Sequence, residues 1–442
     1  MTASEDIDNL VIVPPEKPLK MRAQPIMPPR VKRMWQKLWL KPREERREAD
    51  RGRNGAGARE HAGSGAGDGR NRPALRPWYG AEYAMLVHRR RRLLSTLVIV
   101  TVALGLLKWA AAMPSDITVW TRAAVIVLFV LTFGWIALYF WSSILGFSQL
   151  LKRARMPGIT YPADVEAALD AEAGIAADDL RARQNPAAPK VREMASFIKA
   201  KTAVLMPIYN EEPAQVMARL LAIGEDLQQA GAGGRFDIFV LSDTTNPKIW
   251  VKEEKIWLEA KRILESGSFG AESRSDTEAA GRSGGTAGGA GLHIYYRRRA
   301  QNTARKSGNI EDFCNRWGAE YDFMLVLDAD SLMTAETIVK MARLMEANPH
   351  AGIIQASPQM VNSTSMFARM QQFAGKVAGP VVGAGLAYWQ AGNSNYWGHN
   401  AIIRTRAFID CCGLPKLKGK GPFGGFILSH DFVEAALIAR GG

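Results

Sequence analysis

Two uninterrupted apolar runs, 93–112 and 123–147, constrain this chain more than any other feature. Each is about 20 residues or longer, and at ~1.5 Å of rise per residue a helix of that length spans a hydrocarbon core of ~30 Å. The first run holds one charge, Lys108, near its far end, where a long side chain reaches the interface that also suits Trp109. The second holds none. Only 113–122 lies between them, so the pair reads as a transmembrane hairpin, helix 1 over 93–112 and helix 2 over 123–147. Two unbroken runs of spanning length disfavour a hairpin buried in a soluble core. Arg89, Arg90, Arg91 and Arg92 before the first run, and Lys152, Arg153 and Arg155 after the second, place both flanks on the inner side. Everything after Leu151 is then expected in the cytoplasm.

The same basic residues bear on partners. A formal net charge of +14 calls for nucleic acid, acidic lipid headgroups or a phosphorylated substrate. Arg and Lys crowd residues 1–92, directly before the first apolar run, which favours the membrane. Residues 1–40 lack a secretory signal pattern and read as a cytoplasmic segment. Within it Val31, Met34, Trp35, Leu38 and Trp39 recur at helical spacing among Arg30, Lys32, Arg33 and Lys37. Such an amphipathic helix serves equally on acidic lipid or docked against the protein. Residues 41–92, charged and Gly-rich, read as a disordered basic linker, because they cannot offset the entropy of ordering. The three cysteines, Cys314, Cys411 and Cys412, give no disulfide framework and suit a reducing compartment as buried apolar side chains.

A helical connector is expected over 162–200. In 201–442 short apolar runs alternate with amphipathic segments, which predicts an α/β domain with a parallel sheet. Strands are expected at 203–207, 236–242, 293–296, 323–328 and 352–357, several continuously apolar as in a sheet covered on both faces. Val216, Leu220, Ile223 and Leu227 mark one covering helix; Ile338, Met341, Leu344 and Met345 mark another after Thr334. Residues 267–291, dominated by Gly, Ser, Ala and Glu, read as a flexible insertion.

In an open α/β sheet, ligands bind beyond the carboxyl ends of the strands. The first strand leads into Asn210 and Glu211, the second ends at Ser242 and Asp243, and the fourth ends at Asp328, Ala329 and Asp330. Singly, each serves as well in a turn or helix cap; together they point to a site. Asp328 and Asp330, one residue apart where a strand opens, can both face a hard divalent cation that shares oxygen ligands with substrate phosphates. A diphosphate leaving group needs such help as negative charge accumulates on it. Arg297, Arg298, Arg299, Arg305 and Lys306 form a basic segment expected to meet phosphate oxygens, the alternative being a solvated basic face. Nucleic acid is disfavoured, since no aromatic platform accompanies this segment beyond Tyr295 and Tyr296.

Taken in order, PIYNEEP, LSDTTNP, YRRRAQNTARKSGNIEDF, VLDADS, GHNAIIR and GGFILSHDFVEAA resemble the family-2 glycosyltransferases. Over about 201–440 they are similar to the glucans biosynthesis glucosyltransferase H family, which makes the backbone of osmoregulated periplasmic glucans. The SHDFVEAA stretch favours this subfamily over cellulose synthase-like relatives, which carry a Glu-Asp pair. The resemblance implies a GT-A type nucleotide-diphospho-sugar transferase domain behind the hairpin, in a multi-pass protein of the bacterial inner membrane with its catalytic domain cytoplasmic. It implies inverting transfer of glucose from UDP-glucose to a growing β-glucan.

By the same resemblance Asn210, Glu211, Asp243, Arg305, Lys306 and Asp328 bind the donor, with Asp243 at the uridine and Lys306 at the diphosphate. Asp328 and Asp330 would hold Mg²⁺ or Mn²⁺, and Asp431 would take the proton of the acceptor hydroxyl. A carboxylate can do this within hydrogen-bond reach, although an N-cap role for a helix over 432–440 is the other reading of Asp431. His399 and Asn400 would line the acceptor side. The implied partners are UDP-glucose, a glucan acceptor, membrane lipid and other glucan-synthesis proteins, with no nucleic acid. A Q/R-x-x-R-W segment and further spans would follow Gly442, so 201–442 reads as incomplete at its C-terminus. A cellulose-like or hyaluronan-like synthase, and a membrane protein that binds a nucleotide sugar without turnover, are the competing readings.

Overall fold

The computed structural model describes residues 21, 81–112, 118–178, 188–266, 291–419 and 424–441. Its first two helices, α1 (Ala81–Ala111) and α2 (Val119–Leu151), are long and apolar enough to cross a membrane. They pair through aromatic and small residues. Trp109 stacks on Phe129 with ring centroids 5.2 Å apart, and the Trp141 indole N–H donates to Thr101 Oγ1 at 2.9 Å. Gly105 has no side chain because the Phe133 ring fills that space. Thr118 caps α2 by accepting from the Thr121 N–H, and much of the apolar surface of both helices is exposed, as contact with lipid requires.

One expectation fails here. The stretch 81–92, read as the end of a disordered linker, is the first part of α1. Its Leu, Met, Ala and Arg residues favour helix, and extending an existing helix needs no new nucleus. Residues 41–80, the amphipathic helix expected around Trp35 and most of the insertion, 267–290, lie outside the described residues.

The connector forms α3 (Ala163–Asp178) and α4 (Ala188–Ser196). Then come β1 (Thr202–Ile208), α5 (Pro213–Gln229), β2 (Phe236–Ser242), α6 (Pro247–Ser266), β3 (His293–Arg298), α7 (Arg305–Trp317) and β4 (Phe323–Val326). They are followed by α8 (Ala335–Ala347), β5 (Ile353–Gln355), α9 (Met366–Gln390), β6 (Ala401–Arg404), α10 (Thr405–Cys411) and α11 (His430–Gly441). The sheet order is β3-β2-β1-β4-β6-β5. β1 to β4 run parallel, but β6 is antiparallel to both β4 and β5, so the sheet is mixed rather than parallel. β6 is the strand not anticipated, a short apolar run within GHNAIIR. β4 also stops at Val326 instead of Asp328, because the Asp328 carbonyl turns to accept from the Ser331 N–H at 2.9 Å.

Alternation along the strands explains their continuous apolar character. Val204, Met206, Ile238, Val240 and Leu325 face a core formed with α4, α5, α6 and α8. Ala203, Leu205, Phe239, Leu241 and Met324 face the other core, formed with α7, α10 and α11. Both faces are covered, so both sets of alternate residues must be apolar. Truncating a fully buried member such as Leu205 to Ala would cost about 2 to 5 kcal/mol. Cys314 and Cys412 are buried in the second core and unpaired with each other; burial pushes both thiols up, consistent with inert packing roles.

The long helix α9 was not legible in the sequence. Its Ser365 N-cap accepts from the Ala368 N–H, and it contains Pro380. It crosses α2 at contact distance between backbones. A Cβ on Gly146 would lie 2.0 Å from the Val381 carbonyl oxygen, and one on Gly385 would lie 2.0 Å from that of Ser142. Close helix crossings over small residues are the packing mode of membrane helices.

Candidate functional site

β1 is followed by β2 and β3 on one side of it, and the chain then crosses to place β4 on the other. The carboxyl ends of β1 and β4 therefore flank the switch point where open α/β sheets bind ligands. A cavity of about 810 Å³ opens there, lined among others by Tyr209, Glu211, Arg219, Asp243, Asn302, Arg305, Lys306, Asn309, Asp328 and Asp330. Each carboxylate arrives from a strand end. Asp243 follows β2, its N–H donating to the Ile208 carbonyl at 2.9 Å, and Asp328 follows β4 after Leu327 donates to Leu205 at 2.9 Å. Arg219, from α5, donates to the Ala329 carbonyl at 3.0 Å and so fixes the Asp328–Asp330 loop.

The backbone around the cavity is unusual. Asn210, Ala304, Arg305 and Asn400 are non-glycine residues at positive φ, between 51° and 62°. Asn tolerates this region through local hydrogen bonding, whereas Ala and Arg do so only when the surroundings enforce it. Asn210 is held by the Thr244 hydroxyl, which accepts from its N–H at 3.0 Å, and its own Oδ1 accepts from the Asn246 N–H at 3.2 Å. Its amide side chain thus joins two loops; it is Glu211 that lines the cavity.

Behind these loops lies Glu253, from α6, which is fully buried. Its carboxylate accepts from the hydroxyls of Ser242 at 2.7 Å, Thr244 at 2.5 Å and Tyr296 at 2.9 Å. Burial and this carboxylate push the Tyr296 phenol well up, so it stays a donor. Three donors satisfy a charge that would otherwise be costly to bury. A glutamate in an amphipathic helix carries no sequence signal for such a role.

The basic segment divides into two groups. Arg305 and Lys306 line the cavity, as expected. Arg297, Arg298 and Arg299 do not, because strand alternation and the close acids direct them elsewhere. Arg297 is buried, donates to the Asn309 carbonyl at 3.2 Å and pairs with Asp312 at 3.2 Å. Burial lowers its pKa to about 10, with Asp312 opposing. Arg298 stacks over Trp250 at 4.5 Å. Arg299 grips Asp243 through two bonds of 2.7 and 2.6 Å, so the Asp243 carboxylate is already engaged from one side.

Lys306 connects the two walls. Its ammonium pairs with Asp328 and donates to the Gly398 carbonyl at 2.7 Å. Gly398 has φ of +86° and faces Asp431, whose Oδ2 would lie 3.5 Å from a Cβ at that position. Gly398 thus contacts Lys306 through its carbonyl and Asp431 at its α-carbon, although Asp431 does not line the cavity itself. It lies in the first turn of α11, which starts at His430, and is not its N-cap. His399, expected on the acceptor side, stands beside Asp328, Nε2 to Oδ2 3.9 Å, and so lies near the candidate cation carboxylates. Asn400 is buried, and its carbonyl accepts from Ala356 N–H at 2.9 Å and Gln355 Nε2 at 3.2 Å.

Asp328 and Asp330 can hold a cation only in a shared way. Among the described residues no group of three or more His, Cys, Asp or Glu side chains could enclose a metal ion. Two carboxylates open to a cavity suit a hard cation whose other ligands are phosphate oxygens and water.

Residues 286–412 match the family model described as Glycosyl transferase family 2, so the chain carries a domain of that family. A protein of Shewanella oneidensis named glucans biosynthesis glucosyltransferase H is 45% identical over 316 residues, covering 71% of this chain and 35% of the relative. The same figures hold for the protein of that name from Shewanella sp. strain ANA-3, and one from Shewanella putrefaciens is 44% identical over 319 residues, 72% of this chain and 36% of the relative. The chain thus spans about a third of the length of the relatives it matches.

Proposed function

We propose that this chain, bearing a glycosyl transferase family 2 domain, is the donor-binding and catalytic part of an inverting glucosyltransferase that extends a β-glucan from UDP-glucose. The observation that carries the proposal is the meeting of Glu211, Asp243, Asp328, Asp330, Arg305 and Lys306 on one cavity at the switch point. Its volume of about 810 Å³ suits a nucleotide sugar, within the few hundred to a thousand Å³ typical of small-molecule sites. The names of the relatives favour a glucan of the glucans biosynthesis type over a cellulose-like or hyaluronan-like polymer.

Each residue then has a chemical task. Asp243, oriented by Arg299, accepts from the uracil edge, and Arg305 and Lys306 neutralise the diphosphate. Asp328 and Asp330 would hold Mg²⁺ or Mn²⁺, which would supply charge stabilisation for the departing diphosphate. Lys306 exchanges part of its pairing with Asp328 for the phosphates when donor enters. Asp431 takes the proton of the acceptor hydroxyl as that oxygen bonds to the anomeric carbon. The bond from that carbon to the diphosphate oxygen breaks on the opposite face, and its electron pair leaves with UDP. Inversion of configuration follows from the in-line path.

The hairpin sets the location. The basic residues Arg89 to Arg92 before the first apolar run, and Lys152, Arg153 and Arg155 after the second, support a domain on the cytoplasmic side of a bacterial inner membrane, where UDP-glucose is supplied.

Calorimetric titration of UDP into the detergent-solubilised chain, with Mg²⁺ and with EDTA, tests the donor site. Wild type should bind UDP more than about 10-fold more tightly with metal, and Asp330→Ala should remove that difference. Equal UDP binding by both proteins, with and without metal, would overturn the assignment.

A further inference from the structure

Arg90 and Arg91 sit in the basic run that the positive-inside rule reads only as a topology signal. The structure separates that run into two pairs. Arg89 and Arg92 are exposed, whereas Arg90 and Arg91 are half-buried against the C-terminus of α9. Arg90 donates to the Tyr388 carbonyl at 3.1 Å and lies over the Tyr388 ring, 4.2 Å from its centroid. Arg91 donates through Nε to the Trp389 carbonyl and through Nη2 to the Gln390 carbonyl, each at 3.1 Å. The last carbonyls of a helix have no intrahelical donors and carry the negative end of its dipole, so two guanidinium groups complete and stabilise that end.

The contact gains its consequence from the segment next to α9. A short turn, Ala391–Asn393, leads into the loop holding Gly398, His399 and Asn400. That loop's Gly398 carbonyl receives Lys306 and its α-carbon faces Asp431. The other side of α9 is fixed on α2 at Gly146 and Gly385. A path of direct contacts therefore runs from the membrane hairpin, through the end of α9, to the wall that presents the base.

We infer that Arg90 and Arg91 are positioning residues: they clamp the end of α9 so that the Gly398 loop holds Asp431 and Lys306 in register for transfer. The inference rests on the transferase reading above, and it separates from topology because topology needs charge alone. Lys keeps the charge but cannot reproduce the two-carbonyl fork of Arg91 or the planar stacking of Arg90.

The test compares the charge-conserving doubles R90K/R91K and R89K/R92K with wild type, all as the full chain in nanodiscs. Amide hydrogen exchange should quicken about 10-fold or more across 388–400 in R90K/R91K and stay at the wild-type rate in R89K/R92K. Turnover with UDP-glucose should fall about 10-fold in R90K/R91K, with the donor KM within about twofold of wild type, and be unchanged in R89K/R92K. Unchanged exchange in R90K/R91K, or equal behaviour of the two doubles, would overturn the clamp. Faster exchange with unchanged turnover would reduce it to a packing contact and overturn the positioning role. Failure of wild type to bind UDP or turn over would strike the transferase reading instead, with exchange still deciding whether the clamp exists. Should R90K/R91K not fold, R90K alone, which gives up one bond and the ring contact, carries the same comparison.

Discussion

The two walls of the cavity are built by different means. On the donor wall, Asp243, Asp328 and Asp330 follow parallel strands in a sheet buried on both faces, and Glu253 ties the adjoining loops from behind. On the opposite wall, Gly398, His399 and Asp431 lie on a loop and a helix start, positioned through α9, which itself rests on α2 and on two arginines of α1. In the proposed mechanism donor recognition therefore belongs to the sheet, while presentation of the base depends on how α9 packs against α1 and α2. Such a division would let the nucleotide be held rigidly while transfer responds to the packing of the hairpin.

The contrast breaks if substitutions on one wall act like those on the other. The largest effect is expected for Asp431→Asn, which should lower glucosyl transfer by about 10² to 10⁴-fold while UDP affinity stays within about twofold. A matching loss of UDP binding would show that the walls are not separable. Glu253→Ala leaves three buried hydroxyls without their acceptor, and should cost about 2 to 4 kcal/mol in denaturant unfolding and weaken UDP binding. Glu253→Gln, which keeps an acceptor oxygen, should lose less. Gly146→Ala forces a methyl against the Val381 carbonyl and should destabilise the α2–α9 crossing by about 1 to 3 kcal/mol, seen as faster exchange in α9 with unchanged UDP affinity. If UDP affinity drops as well, the donor wall also depends on the hairpin.

Legibility in the sequence divides along the same line. The strands ending at Ser242 and near Asp328 announce themselves by apolar runs with a carboxylate immediately after, because a doubly covered strand must be apolar and its end must be polar. The covering helices α5 and α8 show the expected spacing of Val216, Leu220 and Ile223, and of Ile338 and Met341. β6 was hidden because four residues are too few to show a period, and α9 because Gly375, Gly379, Pro380, Gly383 and Gly385 break any helical pattern. Of these, Gly385 serves in close contact with α2, which only the folded chain displays. The pairing of Arg299 with Asp243 was equally hidden, since a run of arginines does not say which of them already has a partner.

In the proposed mechanism Asp328 and Asp330 share one cation with the diphosphate of the donor. Mn²⁺ bound to the wild-type chain with UDP, probed by electron spin resonance for hyperfine coupling to phosphorus, measures this directly. A phosphorus-coupled, protein-immobilised Mn²⁺ signal that disappears in Asp330→Ala is the expected result. An immobilised signal without phosphorus coupling, or one that survives in Asp330→Ala, would contradict it.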